Sequence, residues 1–191
     1  MKRKIVVIII AISLLALAGI AYAAFADKAE ILGTSVSVGS ADIKLLDNLA
    51  GGVESGNLVD SKSGPFFENI YSGWTQDYLV KIFNNGTSAL RLTSHADYQT
   101  ANDPEELRSI VYVEPFSWSD GNGNGVVDTG ELGASYSRKT IIKWKTEGFD
   151  LGTIATGGVG GYVLRFSAAS ISETKQGASG VFDFAFDAVE E

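Results

Sequence analysis

The chain has 191 residues, a formal net charge of −8, no cysteine and a single methionine at position 1. This length predicts about one domain, large enough to bury a hydrophobic core. The acidic surface argues against nucleic acid or anionic lipid as a partner, and the lack of cysteine excludes disulfide bonds and thiol chemistry. Stability must therefore come from packing, hydrogen bonds and any ion that the oxygen-bearing residues bind.

The first 23 residues have the pattern of a signal peptide. Three basic residues at 2–4 precede an apolar run from Ile5 to Ala24. Ala21-Tyr22-Ala23 fits the small-x-small cleavage rule, and Ala24-Phe25-Ala26 offers a second frame. Removal of residues 1–23 by a signal peptidase would delete the three basic residues and change the net charge from −8 to −11. The apolar run is also long enough to cross a bilayer, so an uncleaved N-terminal anchor is the alternative.

Beyond the predicted cleavage site, residues 24–38 form a short arm, and residues 39–191 form the predicted folded domain. Ser35-Val36-Ser37-Val38 alternates between polar and apolar residues, which is typical of a half-buried strand in an antiparallel sheet. Strand patterns recur along the domain, at Ala41–Leu45, Tyr78–Phe83, Ala89–Thr93, Thr140–Thr146, Gly161–Ala168 and Val181–Ala188. In the last of these, every second residue from Phe182 to Phe186 is phenylalanine.

Two local signals complete the predicted fold. Asn84-Asn85-Gly86 lies between two strand patterns and predicts the tight turn of a hairpin, and Asn85-Gly86-Thr87 is also a glycosylation sequon. Asp103-Pro104-Glu105-Glu106 has the N-cap, the proline and the acidic first turn of a short helix. We therefore predict an all-β protein, a jelly-roll-like antiparallel β-sandwich with one short helix, preceded by a signal peptide.

Several segments resemble the TasA/camelysin family of secreted β-sandwich proteins, whose members are processed by a SipW-type signal peptidase. The similar segments follow the family's order over nearly the whole chain. They are Ala23–Asp27, Gly39–Leu45, Asp77–Gly86, Asp103–Leu107, and Gln176-Gly177 followed by Phe182–Phe186.

The resemblance implies a structural role outside the cell. Family members form fibres in bacterial biofilm matrices, and related archaeal proteins form bundling pili, with each subunit's N-terminal segment completing the sheet of its neighbour. The equivalent donor here is Ala24 to about Val38, which would link subunits into a homopolymer by β-strand addition. Its anchoring side chains would be Phe25, Ile31, Leu32, Val36 and Val38. The alternative is that this segment pairs within its own subunit.

The sharpest chemical motif is the run from Asp120 to Glu131, which matches D-x-[DN]-x-[DN]-G-x5-E at every position. Calcium prefers oxygen ligands arranged around a tight turn. The predicted ligands are therefore Asp120, Asn122, Asn124, the carbonyl of Val126, Asp128 and Glu131, with Gly125 at the bend. The resemblance does not supply this site, and no helix pattern precedes it, so the alternative is a plain acidic hairpin loop. We expect a structural calcium ion rather than a sensor.

Catalytic patterns are scarce. The only histidine is His95, and neither HExxH nor GxSxG is present. Together with the resemblance to the TasA/camelysin family, this predicts a secreted, non-enzymatic subunit of an extracellular filament, biofilm fibre or pilus, whose partners are further copies of itself and a signal peptidase. It predicts no nucleic-acid partner, and contact with a membrane only through the N-terminal segment. The alternatives are a secreted metallo-endopeptidase of the camelysin type and a monomeric surface binding module.

Overall fold

The computed structural model describes the main chain of residues 26–31, together with residues 41–65, 67, 70–175, 178 and 180–191. The predicted signal peptide, the remainder of the predicted arm and the Gln176-Gly177 pair lie outside these ranges. No helix within them is long and apolar enough to cross a membrane.

Twelve strands and one α-helix make up the regular structure of the described residues. They are β1 (Ala26–Ile31), β2 (Ile43–Leu46), β3 (Leu58–Val59), β4 (Ser61–Lys62), β5 (Trp74–Asn84), β6 (Leu90–Asp97), β7 (Val111–Trp118), β8 (Leu132–Ser135), β9 (Lys139–Thr140), α1 (Ile141–Glu147), β10 (Phe149–Ile154), β11 (Val159–Ala168) and β12 (Asp183–Glu190).

The strands form two sheets. One has the order β10-β6-β12-β1-β4, and the other has the order β3-β2-β5-β11-β7-β8, with β9 paired beside β7. Every pairing is antiparallel except the two-residue contact between β1 and β4. The chain crosses repeatedly from one sheet to the other, which confirms the predicted all-β, jelly-roll-like antiparallel sandwich with one short helix.

The core lies between the sheets and is rich in aromatic side chains. The alternation predicted for the last strand is confirmed, because Phe184 and Phe186 are buried on its inner face. Trp144 of α1 stacks on Phe184 with ring centroids 5.0 Å apart, and Phe166 of β11 lies 5.6 Å from Phe184. The helix and both sheets therefore meet in one aromatic cluster.

The position of the helix differs from the prediction. Thr140–Thr146, predicted as a strand, is largely α1: the Thr140 hydroxyl accepts a hydrogen bond from Lys143 N at 3.3 Å, and Gly148 ends the helix with φ +64°. Ile141 and Trp144 are both fully buried, and their three-residue spacing places them on one helical face. A short apolar run fits the periodicity of a strand as well as that of a helix. Here the Thr140 cap and the burial of Ile141 and Trp144 favour the helix.

The predicted helix at Asp103 is only a 3₁₀ turn, Leu107–Ser109. The predicted N-cap at Asp103 is also wrong, because the N-cap of this turn is Glu106. Asp103 nevertheless holds the turn in place, since its buried carboxylate accepts hydrogen bonds from Leu107 N at 2.7 Å and Arg108 N at 3.1 Å. Arg108 Nη1 lies 2.9 Å from the same carboxylate.

The predicted hairpin at Asn84-Asn85-Gly86 is wrong, because β5 and β6 belong to opposite sheets. Neither Asn85 nor Gly86 has the positive φ of a tight hairpin turn. Instead, the Asn84 side chain is fully buried and donates to Ser88 O at 2.8 Å and Ile154 O at 2.9 Å, while its oxygen accepts from Gly86 N at 2.9 Å. One amide therefore fixes an arch, residues 84–89, that carries the chain between the sheets.

Strand β1, which includes part of the predicted donor arm, lies inside the five-stranded sheet. All six of its residues pair with β12, from Ala26 opposite Val189 to Ile31 opposite Phe184. Its other side pairs only through Glu30 and Ile31 with β4. In this single chain the segment therefore takes the alternative arrangement, with pairing inside its own subunit.

Candidate metal centre

The predicted calcium motif forms the wide loop that joins β7 to β8. Trp118 and Leu132 pair at its base, and Ser119 N donates to Glu131 O at 3.0 Å. All six predicted ligands lie on this loop, as they must from their spacing. The structure adds the groups that their oxygen atoms face.

Asp120 is held from three directions. Its Oδ1 accepts from Asn124 N at 3.1 Å, and its Oδ2 accepts from Gly125 N at 2.8 Å and from Lys81 Nζ at 2.6 Å. Its side chain is only 2 % exposed, because the loop's own backbone and Lys81 cover it. The Lys81 ammonium and these two backbone N–H groups hold the pKa of the Asp120 carboxyl below its usual range.

Lys81 reaches the loop from β5, on the far side of β11. Gly161 of β11 is the register partner of both Lys81 and Trp118, and a Cβ atom at Gly161 would lie 2.4 Å from Trp118 O. Glycine is therefore required at this position by the close approach of the Trp118 backbone. The Lys81 ammonium lies 5.0 Å from the centre of the Trp118 ring and also donates to Leu49 O at 2.6 Å.

The two asparagines share one carboxylate. Asn122 Nδ2 and Asn124 Nδ2 each donate to Asp128 Oδ2 at 2.7 Å. Their side-chain oxygens accept from the backbone, Asn122 Oδ1 from Asn124 N at 3.0 Å and Asn124 Oδ1 from Val126 N at 2.9 Å. The Asn122 and Asn124 side chains thus stabilise the turn through hydrogen bonds to its own backbone and to Asp128.

Glu131 closes the loop with both carboxylate oxygens. Oε1 accepts from Gly121 N at 2.9 Å, while Oε2 accepts from Asp128 N at 3.0 Å and from Trp118 Nε1 at 3.3 Å. The last residue of the motif is therefore oriented toward its first residues, as a closing ligand requires.

A neighbouring loop, residues 47–53, packs against the motif. Gly125 has φ +75°, and a Cβ atom there would lie 2.7 Å from Ala50 N, so both the conformation and the close approach require glycine. The neighbouring loop is itself fixed by the buried Asn57, which accepts from Asn48 N at 2.7 Å and donates to Gly52 O at 2.7 Å.

The donor set fits calcium in kind. In the described part of the chain, no three acidic or histidine side chains lie close enough together to hold a metal ion by themselves. Calcium also binds amide and backbone carbonyl oxygens, and the Asn122 and Asn124 oxygens each accept one hydrogen bond here, which leaves each a second lone pair. The carboxylates of Asp120, Asp128 and Glu131 would complete an all-oxygen site with the Val126 carbonyl.

The single histidine of the sequence lies away from this loop. His95 belongs to the opposite sheet, where its Nδ1 lies 2.8 Å from Asp187 Oδ2. Lys81 was missed by sequence reasoning, although a lysine among the apolar residues of the β5 pattern was a signal that a partner had to be found for it.

The comparisons with known proteins identify no family. No protein-family model matches the chain, and no curated protein matches it. Among solved structures, a PapD-like domain of human CEP192 (ASH / PapD-like domain 7) is similar, with a TM-score of 0.31 and 10 % sequence identity over 73 % of this chain and 70 % of that one.

Proposed function

We propose that this protein is a secreted structural subunit of an extracellular filament, biofilm-matrix fibre or pilus. In this proposal, copies of the chain polymerise by exchanging their N-terminal strand. The observation that carries the proposal is the place of β1: the first described strand after the predicted export junction lies between β12 and β4 and pairs with β12 along its whole length.

Because β1 is held to β12 by backbone pairing, the same strand of a second copy could replace it. The ladder between β1 and β12 consists of main-chain hydrogen bonds, which an identical strand from a second copy can supply equally well. Only two residues of β1 pair on its other side, so β12 supplies most of the backbone pairing of the strand. Exchange of an identical element keeps the contacts while joining two subunits, and repetition of the exchange gives an open chain of subunits.

A disulfide trap tests this proposal, because the chain has no cysteine of its own. Ala26 and Val189 are register partners, so the double variant Ala26→Cys/Val189→Cys can form a cross-link only where β1 meets β12. If strands are exchanged, oxidation of assembled protein gives a ladder of covalent oligomers on a non-reducing gel. Filaments that contain only internally cross-linked monomers would contradict the proposal, and the two single-cysteine variants are the controls.

Truncation gives a second test of the same role. Mature protein that lacks residues 24–33 should remain a subunit that receives a strand but cannot donate one, so it should not polymerise in negative-stain images. A synthetic peptide of residues 24–33 should stop filament growth by occupying the place beside β12. Normal assembly of the truncated protein would rule out strand exchange.

The second part of the proposal assigns a structural calcium ion to the loop of residues 120–131. Its side-chain oxygens and the Val126 carbonyl would hold the ion, and bound calcium would offset the repulsion among the loop's carboxylates. Lys81 already supplies a positive charge beside Asp120. We therefore expect weak binding, with a Kd of about 10⁻⁴–10⁻³ M, as in extracellular modules.

Melting curves with millimolar calcium and with chelator test this assignment. Calcium should raise the midpoint of the unmodified protein. Glu131→Gln should lose most of the rise, since it removes the carboxylate that closes the loop, whereas Thr129→Ala on the same loop should keep it. An unchanged midpoint together with no heat of binding would leave a plain acidic hairpin loop.

A further inference from the structure

Three asparagines in this chain are followed directly by glycine: Asn85, Asn122 and Asn124. In such a pair the glycine backbone nitrogen can attack the asparagine side-chain carbon Cγ. A bond forms between them, ammonia leaves, and water then opens the five-membered succinimide to aspartate or isoaspartate. Glycine favours the attack because it has no side chain to block the approach, but the folded structure decides whether its nitrogen is available.

In two of the three pairs, the glycine nitrogen is not available for attack. Gly86 N donates to the oxygen of the fully buried Asn84 at 2.9 Å. Gly125 N donates to Asp120 Oδ2 at 2.8 Å, and its backbone packs so tightly against the neighbouring loop that an added Cβ would lie 2.7 Å from Ala50 N. In both pairs the attacking nitrogen is engaged and its peptide plane cannot rotate freely.

In the third pair, Asn122-Gly123, the glycine nitrogen is available for attack. Among the described residues, no acceptor takes a hydrogen bond from Gly123 N, both residues are exposed, and a Cβ atom at Gly123 would have nothing within 4 Å. Asn122 Oδ1 accepts from Asn124 N at 3.0 Å. A donor at that oxygen polarises the side-chain carbonyl and stabilises the negative charge that develops there during attack.

We propose that Asn122 is a selective deamidation site, at which the fold directs the reaction to one of three Asn-Gly pairs. The reaction needs only water and releases ammonia. Its product carries a new carboxylate in a loop that already holds Asp120, Asp128 and Glu131, and the hydrogen bond from Asn122 Nδ2 to Asp128 Oδ2 becomes a contact between like charges. The apo loop is therefore loosened, and the chain gains one negative charge.

Peptide mapping by mass spectrometry tests the selectivity. Mature protein is incubated at mildly alkaline pH with chelator, both folded and in urea. In the folded protein, conversion of amide to acid should be several-fold faster at Asn122 than at Asn85 or Asn124, and in urea the three rates should converge. Equal rates in the folded protein, or faster conversion at Asn85 or Asn124, would overturn the proposal, as would an unreactive Asn122 in the folded chain.

A charge-based readout supports the mapping. On isoelectric focusing, aged protein should develop an acidic band that matches the Asn122→Asp variant. Asn122→Gln should not form that band, because a glutamine would have to close a less favourable six-membered ring. If Asn122→Gln forms the same band at the same rate, the modified residue is a different one.

Calcium gives a separate arm that rests on the proposed ion site. If the Asn122 oxygen is a ligand, millimolar calcium should slow deamidation at Asn122 in the unmodified protein but not in Glu131→Gln. Absence of this protection would count against the calcium assignment alone, since the selectivity among the three pairs is measured without calcium.

Discussion

The arch of residues 84–89 and the loop of residues 119–131 are both rich in asparagine and glycine, yet the two segments use these residues in opposite ways. In the arch, one buried side chain, Asn84, satisfies backbone groups from three residues. In the loop, exposed asparagines share the Asp128 carboxylate, while a lysine from another strand pairs with the covered Asp120. Similar local composition therefore serves a connection between sheets in one place and a charged surface loop in the other.

The largest effect in this comparison is expected from Asn84→Ala. The substitution leaves Ser88 O, Ile154 O and Gly86 N without their partner in or near the core, and each unsatisfied buried group costs about 1–3 kcal/mol. We expect a loss of about 3 to 4 kcal/mol in the free energy of unfolding, measured by urea denaturation.

Asn85→Ala is the matched control for that experiment. Asn85 is exposed, and its side chain donates only to Asp42 Oδ2, so its loss should cost less than about 1 kcal/mol. Equal effects of the two substitutions would show that the arch does not depend on the buried amide.

The loop offers a matched pair of its own in Gly125→Ala and Gly123→Ala. Both glycines have positive φ, +75° and +71°, which costs about 1 kcal/mol for an alanine. Only the Cβ at position 125 would meet backbone, at 2.7 Å from Ala50 N. We expect losses of about 2 to 3 kcal/mol for Gly125→Ala and about 1 kcal/mol for Gly123→Ala in the same denaturation assay. Equal losses would show that the two loops are not in firm contact.

Lys81→Met removes the ammonium that pairs with Asp120, whose side chain is only 2 % exposed and keeps its two backbone hydrogen bonds. Its consequence should be local: hydrogen exchange should accelerate at the Asn124 and Gly125 amides, whose acceptor is Asp120. The rise in melting midpoint with calcium should also increase, because a positive charge beside the ligands is gone.

Lys44→Met is the control for the lysine substitution. Lys44 also forms ion pairs, with Asp42 at 2.8 Å and Asp60 at 2.6 Å, but neither partner belongs to the loop of residues 120–131. Its loss should leave exchange at Gly125 unchanged. If Lys81→Met likewise leaves that exchange unchanged, the ion pair does not organise the loop.

The sequence was most informative where a pattern concerns neighbouring residues. The alternating phenylalanines near the C-terminal strand and the motif of the 120–131 loop both depend on spacings of a few residues, and the first of these predicted a strand of the sandwich correctly. The Thr140–Thr146 run was ambiguous because its apolar residues fit a strand or one short helical face, and Trp144 had to meet Phe184 before the helix was favoured.

Contacts between residues far apart in the chain could not be predicted from sequence patterns. Two such contacts depend on which strands become neighbours in space. Asn84 donates to Ile154 O, and Lys81 crosses β11 at Gly161 to reach Asp120. Asn-Gly between two strand patterns favours a hairpin only if the strands share a sheet. Here β5 already has β2 and β11 beside it, so β6 has no place next to it.

The middle of each sheet is formed late in the chain. β11 separates β5 from β7 in one sheet, and β12 separates β6 from β1 in the other, yet these two strands follow all the other strands in sequence. Until these two strands are in place, nothing lies between β5 and β7 or between β6 and β1 to join them. We therefore expect a chain that lacks β12 to be degraded by proteases rather than to form a smaller sandwich.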